Sequence, residues 1–95
     1  MNFVLQSLGT KKDIDRAIKT TKEKVLVLRF GIDNDPVCIQ QDDILSKCEE
    51  KLSNMAKIYT VSADKNPIYT KYFDITLVPA TIFFFNGRHM RVDFG

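Results

Sequence analysis

The sequence predicts a small α/β domain, a mixed central sheet flanked by helices, and three observations carry that prediction. First, Val25, Leu26, Val27 and Leu28 form an apolar run of the kind that makes a strand covered on both faces, and Asp35-Pro36 soon after is a helix start. Asp can accept hydrogen bonds from the first free backbone N–H groups of a helix, and Pro is preset for the first helical position, where no N–H is needed. Second, strand-like and helix-like stretches alternate along the rest of the chain, which gives parallel pairing. Third, Asn86-Gly87 between apolar segments is a strong hairpin signal that adds an antiparallel edge.

In chain order, residues 3–5 read as a short strand or an ordered arm. Thr10 reads as a helix N-cap with Asp13 three residues on; Ile14, Ala17 and Ile18 then form an apolar stripe, while Lys11, Lys12, Asp15, Arg16 and Lys19 face water. After the strand that begins at Val25, Gly31 to Asn34 break the pattern. In the helix at residues 36–52, Val37, Gln41, Ile44, Leu45, Cys48 and Leu52 share one face, which predicts a buried Cys48, with Asp42 and Asp43 on the exterior. Residues 57–62, KIYTVS, alternate as a strand does. Asn66 and Pro67 open a short helix in which Ile68, Tyr72 and Phe73 pack inward. Pro79 precedes a strand at residues 80–85, ATIFFF, with Phe83 and Phe85 on one face and Phe84 on the other. Residues 88–94 form the return strand.

Composition narrows the function. Ninety-five residues make one small domain, and a net charge of +2 is too slight to argue for nucleic acid or an acidic membrane. No apolar run is long enough for a membrane span, and MNFVLQSLGTKK lacks the basic start and apolar core of a signal peptide, so an intracellular protein is expected. Cys38 and Cys48, ten residues apart on one helix, are separated by ~15 Å of rise and cannot pair within the chain. His89 and two cysteines on one helix give no metal-ligand spacing, so neither metal nor cofactor is expected. Lys11, Lys12, Arg16, Lys19, Lys22 and Lys24 cluster, but Asp13, Asp15 and Glu23 are interleaved, and a solvated helix face explains them better than an RNA patch.

The segment from Val25 onward resembles the active-site segment of thioredoxins, in which an apolar strand ends in Phe and a loop leads to a C-x-x-C motif at a helix start. Phe30 matches that Phe and Cys38 matches the second cysteine. Asp35 stands where the nucleophilic cysteine would be, and Arg29 where the family has a buried carboxylate. Val78-Pro79-Ala80-Thr81, the apolar strand and Asn86-Gly87 match the cis-proline segment and final hairpin. The fold implied is thioredoxin-like, residues 1–95 as a single domain. LRFG, an acidic loop, DPVC, DDIL, VPATIFFFNG and HMRVDFG narrow the resemblance to the Dim-type thioredoxin-like splicing proteins.

That resemblance implies a cis Pro79 and a non-enzymatic nuclear protein that acts in pre-mRNA splicing, and in cell-cycle progression, by contacting tri-snRNP components such as pre-mRNA-processing factor six, with homodimerisation plausible. It also implies that Asp35, Pro36, Cys38, Val78 and Pro79 survive as a partner-binding groove without catalysis. The alternatives are a monothiol redox protein using Cys38 and an RNA-binding module on the basic face. Family members continue past the position of Gly95 with a helix that covers the sheet. A C-terminally truncated domain lacking that covering helix is therefore expected to expose an apolar strip, expected at Phe84, Met90 and Val92.

Overall fold

The computed structural model describes residues 5–90. The elements follow in the order β1 (Gln6–Leu8), α1 (Lys11–Thr20), β2 (Val25–Gly31), α2 (Pro36–Lys51), β3 (Ala56–Ser62), α3 (Pro67–Tyr72), β4 (Ala80–Phe85) and β5 (Arg88–Met90). They build one five-stranded sheet in the order β1-β3-β2-β4-β5. β1 and β2 run parallel to β3, β4 runs antiparallel to β2, and β5 runs antiparallel to β4.

The antiparallel part of the sheet therefore begins at β4, before the hairpin. α3 has six residues and rises only ~9 Å, against ~23 Å for the seven-residue β3. It does not carry the chain back to the far end of the sheet, so β4 starts at the end where β3 leaves off. The hairpin itself follows expectation, with both Asn86 (φ 50) and Gly87 (φ 81) in the left-handed region that a two-residue turn requires. β1 lies later than residues 3–5, of which only Leu5 is among the described residues. Gln6 and Ser7 carry little apolar signal because β1 is an edge strand, pairing Gln6 to Tyr59 and joining Ser7 Oγ to Thr60 Oγ1 at 2.7 Å.

One face of the sheet holds the main core. Leu26, Leu28, Phe30, Val61 and Phe84 are buried under Ile14 and Ala17 of α1, with Tyr69 and Phe73 closing the α3 side. The Thr10 cap is as read: its hydroxyl accepts from the Asp13 N–H at 3.2 Å. In α3 the inward residues are Tyr69 and Phe73; Ile68 and Tyr72 are exposed, contrary to the periodicity reading. So short a helix has a single turn against the sheet. Its rotation is set by buried Asn66, whose Nδ2 donates to Ser62 O at 2.9 Å.

α2 lies over the opposite face, turned from the predicted orientation. Cys38, Asp42, Leu45 and Glu49, at helical spacing, face the sheet, whereas Val37, Ile44, Cys48 and Leu52 are exposed. Cys48 is thus a surface thiol, and Asp42 is half-buried. The cause is polar. Asp42 pairs with Arg29 of β2, and the buried Glu49 accepts the Ile58 N–H, a β3 donor that lies one residue before the β1 pairing begins. Two carboxylates with fixed partners in the sheet override an apolar stripe that has no partner.

The expected apolar strip is corrected in the same way. Phe84 is buried on the α1/α3 face, opposite His89. The residues open on the α2 face are Phe85 and Met90, with half-buried Phe83 paired to Met90. Val92 lies outside the described residues.

Candidate functional site

The end of the sheet where β2 stops and β4 starts gathers the residues expected to form a partner-binding groove. Asp35 caps α2: its Oδ2 accepts from the Cys38 N–H at 3.1 Å and its carbonyl accepts from Ile39 N–H at 2.9 Å. Pro36 follows at the first helical position. The Val78-Pro79 bond is cis, as the resemblance implied. Phe30 pairs with Ala80, which sets Pro79 beside the end of β2 at Gly31. A Cβ built on Gly31 would meet Cys38 Sγ at 3.0 Å, so Gly31 and Cys38 are in direct apposition. Asp35, Pro36, Cys38, Val78 and Pro79 therefore share one end of the domain, and Ile32, Val37 and Leu77 expose apolar surface there.

Behind Cys38 lies the least expected feature. Arg29, in the middle of the apolar β2, is 5% exposed. Its Nε donates to Asp42 Oδ1 at 2.7 Å and its Nη2 to Oδ2 at 2.8 Å, a bidentate pair between strand and helix. Gly31 makes room for it: a Cβ there would lie 2.0 Å from Arg29 Nη1. Arg29 and Asp42 border a recess of about 370 Å³ that also takes in Asp33, Asp43 and Thr60. The sequence pattern places Asp42 on the solvated exterior, whereas the structure half-buries it against Arg29. The signal for it was a lone charge, Arg29, inside a run of buried residues, together with an acid four residues after Cys38 on the same helix face.

The chemistry open to this site is narrow. Cys38 is 1% exposed, its N–H is engaged by Asp35, and no thiol stands within reach: Cys48 is exposed, ten residues and ~15 Å further along α2. Dithiol exchange needs a resolving thiol, and Asp35 offers none. A guanidinium has no hydrogen-bond acceptor, so Arg29 offers donors alone at the position where thioredoxins have a buried carboxylate. Among the described residues no cluster of three or more His, Cys, Asp or Glu side chains could hold a metal ion, and no helix is long and apolar enough to cross a membrane.

Comparison with known proteins shows the fold and the family. Among solved structures the chain is similar in fold to the germline-specific thioredoxin Deadhead of Drosophila (TM-score 0.82, 21% identity, 92% of this chain and 83% of that one). It is similar to the thioredoxin of Fasciola hepatica as well (TM-score 0.81, 17% identity, covering 92% and 83%). At such identities the likeness establishes the thioredoxin fold. In sequence the chain is 62% identical to Thioredoxin-like protein 4B of Mus musculus, 37% to Mitosis protein dim1 of Schizosaccharomyces pombe and 34% to Spliceosomal protein DIB1 of Saccharomyces cerevisiae. These alignments take in 100%, 100% and 99% of the chain but 64%, 67% and 66% of those proteins, so it spans about two thirds of their length. The family model described as Mitosis protein DIM1 matches residues 4–95, and the chain belongs to that family.

Proposed function

We propose that this chain acts without catalysis, as a protein-interaction module of nuclear pre-mRNA splicing with a linked role in cell-cycle progression. The observation that carries the reading is the site's chemistry. Where a thioredoxin has a nucleophilic thiol and a buried carboxylate, this chain has the helix-capping Asp35 and the ion-paired Arg29. The direction comes from the relatives, whose names are spliceosomal and mitotic.

The partner-binding groove is the sheet end formed by Asp35, Pro36, Cys38, Val78 and Pro79, with exposed Ile32, Val37 and Leu77 as apolar contacts. The partners are tri-snRNP proteins such as pre-mRNA-processing factor six, and a second copy of the chain is a further partner. The test is binding of purified pre-mRNA-processing factor six to the immobilised chain, compared with a V37D/L77D variant that changes two exposed side chains. Binding lost in the variant is the expected result. Undiminished binding moves the groove elsewhere, and no binding removes this partner. An insulin-reduction assay with dithiothreitol is expected to match the protein-free control; a Cys38-dependent rate above it overturns the non-catalytic reading and favours a monothiol redox protein.

A further inference from the structure

A second concave surface lies on the opposite side of the sheet from α2. It is a groove of about 630 Å³ between α1 and α3. Its floor is apolar, made by Ile18, Phe73 and the buried Phe84. Its α3 wall is Ile68 and Tyr72, the latter 76% exposed. Its α1 rim is basic. Asp15 is the one acid of the lining, and Lys11 already pairs with it at 2.8 Å. Among the described residues neither Lys19 nor Lys22, both on the rim, has an ion-pair partner.

We propose that this groove docks an acidic peptide segment that inserts an aromatic or branched aliphatic side chain between α1 and α3 and sets carboxylates against Lys19 and Lys22. Two features choose this occupant. The charge left over on the rim is positive and local, which suits a few carboxylates beside an apolar anchor. The groove is also lined by packed rings, which offer an apolar floor to an inserted anchor. Tyr69 stacks on Phe73 at 5.9 Å and 16°, while Tyr72 and Phe84 meet Phe73 edge-on at 5.0 and 5.7 Å. Rings engaged with one another in this way are not free platforms for successive bases, and two unpaired lysines do not make a phosphate track. The surface is separate from the Asp35–Pro79 end, so one chain can hold two partners at once.

The test is a titration of the isotope-labelled full chain, followed by NMR, with a short synthetic peptide of Asp and Glu residues around Leu and Phe. A peptide with Lys in place of each acid and an oligouridylate serve as comparisons. The expected result is shifts confined to α1, Lys22, α3, Phe73, Phe84 and Gly87 with the acidic peptide alone. Affinity by fluorescence anisotropy is expected to fall about tenfold or more in K19E/K22E, a change of roughly 1.4 kcal/mol or more. Tyr72→Ala, at a second exposed position, is expected to weaken binding while thermal melting shows both variants folded. No binding of the acidic peptide, equal binding of the Lys-containing peptide, shifts centred on Asp35 and Cys38, or tighter binding of the oligouridylate each overturns the proposal.

Discussion

Removing the carboxylate of Asp42 tests how α2 is held to the sheet. In Asp42→Ala the guanidinium of Arg29 loses the acceptor of two bonds, at 2.7 and 2.8 Å, while remaining in a strand where its own side chain is 6% exposed. Taking one partner from a buried ion pair costs about 3–5 kcal/mol, because the remaining charge stays desolvated. Asp42 is 28% exposed, so water reaches part of the gap and the lower end, about 3 kcal/mol, is expected. A chain of 95 residues has a total stability of roughly 5–14 kcal/mol. The substitution thus removes a fifth or more of what holds the fold.

The assay is urea denaturation followed by circular dichroism. With a slope of about 1–3 kcal/mol per molar urea, the midpoint should fall by ~1 M or more. Arg29→Met alone should cost less than Asp42→Ala, because the orphaned carboxylate can reach solvent and the orphaned guanidinium cannot. R29M/D42L together should lie near wild type, since an apolar pair of similar volume replaces both charges. A wild-type midpoint in Asp42→Ala, or a double variant as unstable as the sum of the singles, would refute the view that this pair fixes the rotation of α2.

Three further outcomes are expected. Gly31→Ala places a Cβ 2.0 Å from Arg29 Nη1 and should cost ~1–3 kcal/mol in denaturation, with most of the loss absent in an Arg29→Met background. Asp35→Ala should lose about 1 kcal/mol through the missing Cys38 N–H acceptor, and Asp35→Asn most of that less, by the same measurement. The open α2 face should drive self-association visible by analytical ultracentrifugation, and I44E/F85E, two changes at exposed positions, should shift the chain toward monomer.

Where the chain obeys local chemistry, the sequence was a sufficient guide. Thr10 and Asp35 cap their helices as their side chains dictate, and Asn86-Gly87 turns the last hairpin. Phe84 separates from Phe83 and Phe85 by strand alternation alone. The structure departs from the sequence pattern where a few polar contacts outweigh several apolar ones. Periodicity assigns Val37, Ile44, Cys48 and Leu52 to the interior of α2, but periodicity cannot tell which side of a helix meets the sheet when both sides carry apolar residues. Asp42 and Glu49 decide it through partners distant in sequence, Arg29 and the Ile58 N–H. Ile68 and Tyr72 were misplaced for a related reason: α3 is too short for a stripe to form, and Asn66 sets its rotation from outside the pattern.

The same inversion bears on function. A helix that turns Asp42 and Glu49 inward and leaves Ile44 61% exposed is not placed to bury the most apolar area. An exposed Ile side chain forgoes roughly 1.5–3 kcal/mol of burial. Val37, Leu52, Phe85 and Met90 are exposed as well. The charged contacts that hold the helix are weak compensation, since a buried ion pair contributes little net stability over an apolar isostere. What the pair does supply is orientation. Arg29 and Asp42 fix which residues α2 presents, and the apolar ones are presented outward. The Arg29–Asp42 pair thus sets which face of α2 meets the sheet and which apolar side chains of that helix are left exposed.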